Sequence, residues 1–289
     1  MPIPQISRRV GLAGLAAGLA SACSPLAALN ALAPRDPGAR RVLQGAAYGP
    51  HERQKLDLFA PRREGPWPLV VFFYGGNWNS GSRDLYGWAA QAIAAQGFVV
   101  AAPDYRLVPQ VRFPAFIEDA AAATALAARL APEHGGSAQR IGLCGHSAGA
   151  HIALLTALDP TYTEAVGLEG RIEAVAGLAG PYAFLPLDVS STIAAFGQWP
   201  RLEETQPVTY ARADAPAVWL ANGGEDQVVG LRNTTRLKAA LEGAGAVVET
   251  AFYPDLDHAG MAAVLSPLFR GRAPVLKDMT DFLRRTLTA

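Results

Sequence analysis

Ile141-Gly142-Leu143-Cys144-Gly145-His146-Ser147-Ala148-Gly149-Ala150 is the stretch on which the reading of this chain turns. An apolar run of four residues meets an alanine-rich helical run at a Gly-x-Ser-x-Gly pentapeptide, Gly145 to Gly149. At a strand-to-helix junction this pattern predicts a sharp, strained turn, with the serine hydroxyl exposed above a sheet beside a helix N-terminus. The glycines are required because a Cβ at either position would strike the strand or helix packed against the turn. The pattern predicts Ser147 as a nucleophile and the chain as a hydrolase.

Working outward, short β-rich runs alternate with longer helical ones. Val42 to Tyr48 and Lys55 to Phe59 read as an antiparallel pair at a sheet edge, joined by Gly49-Pro50-His51-Glu52. Leu69-Val70-Val71-Phe72-Phe73, bounded by Pro68 and Gly75, reads as a parallel strand buried on both faces. Further strands are predicted at Phe98 to Ala102, Ile141 to Cys144, Ile172 to Leu178, Ala217 to Ala221 and Val247 to Tyr253. Helices are predicted at Asp84 to Ala95, Ala115 to Leu130, Ala148 to Leu158, Leu231 to Ala244 and near Pro274 to Leu287. This alternation specifies an α/β protein: a mostly parallel eight-stranded sheet with helices on both faces and ligands at the carboxyl ends of the strands. Residues 182–213 lack clear periodicity yet carry Phe184, Leu185, Leu187, Ile193, Phe196 and Trp199, which predicts a small cap over the site.

A serine hydroxyl needs a base, and the base needs an acid to hold its tautomer. In this architecture the order is Ser, then Asp or Glu, then His. The run from Leu220 to Val229 is a strand entering a turn that offers Asp226, with Glu225 as rival. Phe252 to His258 is a strand and short loop ending in the candidate base, His258. His51 and His134 lie in turn-like segments, His146 is the variable residue of the pentapeptide, and His151 is expected as a buried, satisfied polar group. The oxyanion donors are expected to be the N–H groups of Ala148, after the nucleophile, and of Gly76 and Asn77, in the loop after the Leu69 to Phe73 strand. Trp78 and Tyr182 are expected to line the substrate pocket.

These segments together resemble the α/β-hydrolase superfamily, in the serine-esterase group containing hormone-sensitive-lipase-like enzymes, kynurenine formamidases and isoprenylcysteine methylesterases. The resemblance runs from about Gly45 to the C-terminus. It rests on the glycine pair with Trp78, on Pro103-Asp104-Tyr105-Arg106-Leu107, on Phe113-Pro114-Ala115 with Asp119, on the pentapeptide, on Gly180-Pro181-Tyr182, and on the Asp226 and His258 segments. It implies an α/β-hydrolase fold and a serine carboxylesterase acting on a small-molecule ester, without a cofactor. In the family the loop before the glycines usually begins with a histidine that supports it; here Tyr74 stands there. Asp104 precedes the nucleophile and is expected to hold its loop through local ion pairs. An arylformamidase or related amidase, and a non-catalytic, membrane-anchored binding protein on the same fold, are the alternatives.

Composition bounds the rest. The 289 residues carry 25 basic and 25 acidic side chains, a balance that supplies no field for nucleic acid. No His-x-x-x-His or Cys-x-x-Cys pair suggests a metal. Residues 1–22 read as a signal peptide: Ser7-Arg8-Arg9 resembles a twin-arginine signal and precedes a short apolar run. Ala20-Ser21-Ala22-Cys23 resembles a bacterial lipobox, making Cys23 the lipidated residue of an exported protein of the periplasm or cell envelope. Residues 23–41 read as a tether, and 42–289 as the catalytic domain. The second cysteine, Cys144, is expected as a small buried hydrophobe.

Overall fold

The computed structural model describes Asn30 and residues 33–288. The predicted signal peptide and Cys23 lie outside the described residues. Strands β1 (Ala39–Ala47), β2 (Lys55–Pro61), β3 (Trp67–Phe73), β4 (Val99–Pro103), β5 (Gly136–His146), β6 (Ile172–Leu178), β7 (Ala217–Gly223) and β8 (Val248–Tyr253) form one sheet. Their order is β1-β2-β4-β3-β5-β6-β7-β8. Only the β1-β2 and β2-β4 pairs are antiparallel, and the remaining pairs are parallel.

Burial follows position in the sheet. From β3 to β7 the strand residues are buried except near the start of the strands, as expected for strands covered on both faces. The edge strands β1 and β8 carry exposed residues throughout. Helix α1 (Arg83–Ala94) starts at Ser82, whose hydroxyl accepts from the Leu85 N–H, a side-chain cap of ordinary type. Helices α2 (Ala115–Leu130) and α3 (Ala148–Leu158) pack on each other and on the central strands. All residues of α3 are buried, so its composition is apolar all round and its small alanines admit close packing. The last helix, α8 (Val275–Thr288), buries Val275, Leu276, Met279, Phe282, Leu283 and Leu287, the spacing of a one-faced surface helix. Leu283 and Leu287 lie directly over Gly142 in the central strand β5.

The strand order places the site. From β3 the chain crosses to β4 on one side and returns to β5 on the other. The loops leaving β3 and β5 therefore diverge and leave a crevice above their carboxyl ends, the usual ligand site of such sheets. The loop expected to supply the oxyanion donors follows β3, and Ser147 follows β5.

Two boundaries differ from the sequence reading. The sheet starts at Ala39, inside the stretch read as tether. The described part of that stretch is docked: Asp36 is buried and paired with Arg270 at 2.9 Å, and the Gln91 amide donates to the carbonyls of Asp36 and Ala39. The segment 182–213 is also better ordered than predicted. It contains helix α5 (Ser190–Phe196), preceded in the chain by the short α4 (Pro160–Glu164), and 3-10 turns at Leu202–Thr205 and Pro207–Tyr210. Phe196 packs its ring on Trp78 (4.9 Å), Phe116 (5.7 Å) and Phe184 (5.4 Å), so the segment's two phenylalanines complete the core, while Val189 and Ile193 stay exposed.

Candidate active site

Ser147 has φ 56° and ψ −125°, backbone angles that a non-glycine residue adopts only when the surroundings compel it. The compulsion is visible on both sides. A Cβ on Gly145 would overlap the Gly149 carbonyl, and one on Gly149 would overlap the Phe73 carbonyl. Strand β5 and helix α3 thus meet more closely than side chains allow. The Ser147 N–H donates to the Leu178 carbonyl (2.9 Å), and its own carbonyl accepts from Ala150 and His151. The hydroxyl is left free to face the crevice.

Two loops from the far half of the sheet converge on it. After β7 the chain turns at Asp226, which is buried, while Glu225 is exposed; the exposure removes Glu225 as the rival acid. After β8, Asp257 caps helix α7 (His258–Ala263), Arg232–Ala244 being α6, by accepting from the Gly260 N–H at 2.7 Å. This fixes His258 at the helix start. His258 Nε2 lies 2.9 Å from Ser147 Oγ, and its Nδ1 lies 2.9 Å from Asp226 Oδ2. The other Asp226 oxygen accepts from the N–H groups of Val228 and Val229, each at 2.8 Å. Burial works to raise the Asp226 pKa, but the hydrogen bonds from His258 and these N–H groups outweigh it and hold the carboxyl below its ordinary 3.8. The geometry is that of a hydroxyl, a base able to take its proton, and an anion that orients the base.

The loop after β3 brings Gly76 (φ 142°), Asn77 (φ 52°) and Trp78 (φ 58°) beside the serine. A Cβ on Gly76 would overlap the Ser80 carbonyl. Three successive left-handed residues turn the backbone so that it faces the crevice. Among the described residues, no acceptor is found for the N–H groups of Gly76, Asn77 or Ala148, the first residue of α3. The loop is held from below. The Tyr74 hydroxyl donates to Asp104 (3.0 Å) and accepts from Arg53 (2.7 Å), and Arg53 also donates to the Gly81 carbonyl. Arg83 pairs with both Asp104 and Asp57. Burial, with Asp104 nearby, pushes the Tyr74 pKa well above 10.0, so the phenol stays a donor. Asp104, expected to hold its own loop through ion pairs, also anchors the loop after β3 through Tyr74 and Arg83.

A cavity of about 590 Å³ opens over the serine. Its walls are Gly75, Gly76, Asn77, Tyr86, Trp88, His146, Ser147, Val228, His258, Ala259, Ala262, Ala263 and Phe269. The expected pocket residues Trp78 and Tyr182 are absent from it, and no residue of the expected cap, 182–213, lines it. Trp78 is buried (2% exposed). Its positive φ turns the indole down into the core, where Nε1 donates to His151 Nδ1 at 3.3 Å. His151 Nε2 in turn donates to the Thr205 carbonyl (2.8 Å), making His151 the satisfied polar group expected. Tyr182 is fully buried, its ring over Gly180 and Gly177. The actual aromatic walls, Tyr86 and Trp88 on α1 and Phe269 after α7, were missed. No local motif marks them, because they are brought together by packing between distant elements. Among the described residues no helix is long and apolar enough to cross a membrane, and no cluster of His, Cys, Asp and Glu could hold a metal ion.

The BD-FAE family model matches residues 56–241, more than half of the chain. A probable isoprenylcysteine alpha-carbonyl methylesterase ICME of Oryza sativa subsp. japonica is 28% identical over 84% of this chain and 64% of its own length. Esterase LipC of Mycobacterium tuberculosis is 38% identical over 50% of this chain and 36% of its own length. The chain thus matches less than two thirds of the length of either relative. Among solved structures, a truncated carbohydrate esterase from gut microbiota superposes with a TM-score of 0.77 at 19% identity, over 89% of this chain and 100% of that one. That likeness is one of fold.

Proposed function

The chain belongs to the BD-FAE family and has the α/β-hydrolase fold, and from that premise we propose that it is a serine carboxylesterase. The observation that carries the proposal is the pair of 2.9 Å contacts linking Ser147 Oγ, His258 and Asp226. Ser147 attacks the ester carbonyl as His258 Nε2 takes its proton. Asp226 keeps the proton of the neutral imidazole on Nδ1 and stabilises the imidazolium that forms. The N–H groups of Gly76, Asn77 and Ala148 receive the developing oxyanion. His258 then protonates the leaving alcohol, and water cleaves the acyl-enzyme by the reverse roles.

The apolar walls of the cavity favour a modest-sized, uncharged ester; among the described residues, apart from His258, no ionisable side chain but the neutral His146 and the phenol Tyr86 faces it. The esterase names of both relatives support ester chemistry. The twin-arginine-like segment and Cys23 extend the proposal to an exported, lipid-anchored enzyme, which mass spectrometry of the mature N-terminus tests.

Purified protein is expected to hydrolyse short-chain nitrophenyl esters, and Ser147→Ala to lose about 10⁶ in turnover. Unchanged turnover in that variant refutes the mechanism. N-formylkynurenine, assayed in parallel, separates an arylformamidase from an esterase. Failure of a fluorophosphonate to label Ser147 would favour a binding protein on the same fold.

A further inference from the structure

The hydrogen bonds among Ser147, His258 and Asp226 join side chains, but leave open what holds the backbone of the base at the right distance from the nucleophile. The two residues are 111 positions apart and belong to different loops. His146, the residue before the nucleophile, supplies a direct link: its Nε2 lies 2.9 Å from the main-chain carbonyl oxygen of His258. We infer, on the triad reading above, that His146 is a positioning residue that ties the elbow to the base loop through this single hydrogen bond and so sets the Ser147–His258 distance.

The chemistry of the ring follows from its partners. A carbonyl only accepts, so Nε2 carries the proton and Nδ1 is a bare lone pair. Nδ1 is buried with no hydrogen-bond partner among the described residues. It abuts Gly75 so closely that a Cβ there would lie 3.0 Å from it. The ring is therefore clamped between the oxyanion loop and the base, its centroid 4.9 Å from that of His258. One side chain touches all three catalytic segments: elbow, oxyanion loop and base loop. Burial, and the neighbouring His258, push the His146 pKa down to about 3. His146 thus stays neutral when His258 becomes an imidazolium, and no second positive charge forms beside it.

The test uses His146→Asn, whose amide is too short to reach the His258 carbonyl, and His146→Gln, whose amide reaches it. A displacement of the base by a fraction of an ångström is expected to lower kcat about 10- to 100-fold in His146→Asn. KM should stay within about threefold, and His146→Gln should recover most of the kcat. Fluorophosphonate labelling of His146→Asn should still reach one label per chain, at a lower rate, which separates mispositioning from partial unfolding. Should His146→Asn not fold, His146→Leu takes its place. The inference is overturned by wild-type kcat in the Asn variant, by equal loss in Asn and Gln, or by a rise in KM with kcat unchanged, which would make His146 only a pocket wall. A Ser147→Ala control keeps the two readings apart: if it retains activity the triad proposal fails, and if it is inactive while His146→Asn is unimpaired only the positioning role fails.

Discussion

Replacing Asp226 by asparagine changes one oxygen to an NH₂, and the surroundings dictate which one. One carboxylate oxygen accepts from two backbone donors, the Val228 and Val229 N–H groups, each at 2.8 Å. In Asp226→Asn the amide oxygen stays with those two donors, because turning it away would set the NH₂ against both. That flip forfeits two hydrogen bonds and leaves the buried Val229 N–H unpaired, at about 3 kcal/mol. Fewer than about 1% of molecules would then present an oxygen to His258. The NH₂ facing His258 Nδ1 makes that nitrogen an acceptor and moves the imidazole proton to Nε2, the atom 2.9 Å from Ser147 Oγ. A protonated Nε2 cannot take the serine proton. Tautomer selection alone thus supplies about 10² of loss, and the missing anion beside the imidazolium brings the total towards about 10⁴ in kcat, or ~5 kcal/mol. Asp226 lies outside the cavity wall, so KM for a nitrophenyl ester should hold. The wild-type carboxyl is held below 3.8, so the comparison at neutral pH is between an anion and an amide. A loss of less than about tenfold in kcat, or an effect confined to KM, would refute the assignment of Asp226 as the orienting acid.

Other perturbations test the frame around the site. Gly149→Ala drives a Cβ into the Phe73 carbonyl, and denaturant unfolding is expected to register a destabilisation of about 3 kcal/mol or more. His146 and His151 are both buried, and burial lowers their pKa values from 6.5 to about 3 and about 4. Because the unfolded chain binds these protons first, stability is complete above pH 6.5 and falls as the pH drops towards the folded values, by ~2 kcal/mol per histidine near pH 5. A melting temperature that does not fall between about pH 7 and pH 5 would contradict this. Tyr74→Phe keeps the stacked ring but strips a partner from both Asp104 and Arg53; a stability loss of about 1–3 kcal/mol with lowered kcat is expected, read by thermal melting and ester hydrolysis.

The sequence by itself determined the elbow and the fold around it. Paired glycines about Ser147, the alternation of apolar runs with helical ones, and the order Ser147, Asp226, His258 are local or one-dimensional signals. Local backbone sterics and hydrophobic periodicity carry them, and the observed bounds of α2, α3 and β6 coincide with those expected. The direction of a side chain is a different kind of fact. Trp78 and Tyr182 stand next to the right motifs, yet the first is turned into the core by a φ of 58° and the second lies over Gly177 and Gly180. Residues 182–213 have a cap's composition, but their phenylalanines find Trp78, His151 and Phe116 and fill the core. Only the tertiary structure decided that Tyr86, Trp88, Val228 and Phe269 wall the cavity, and that His146 reaches the carbonyl of His258. Those contacts join segments separated by scores of residues, and close packing between elements, which no single stretch of sequence encodes, sets which faces meet.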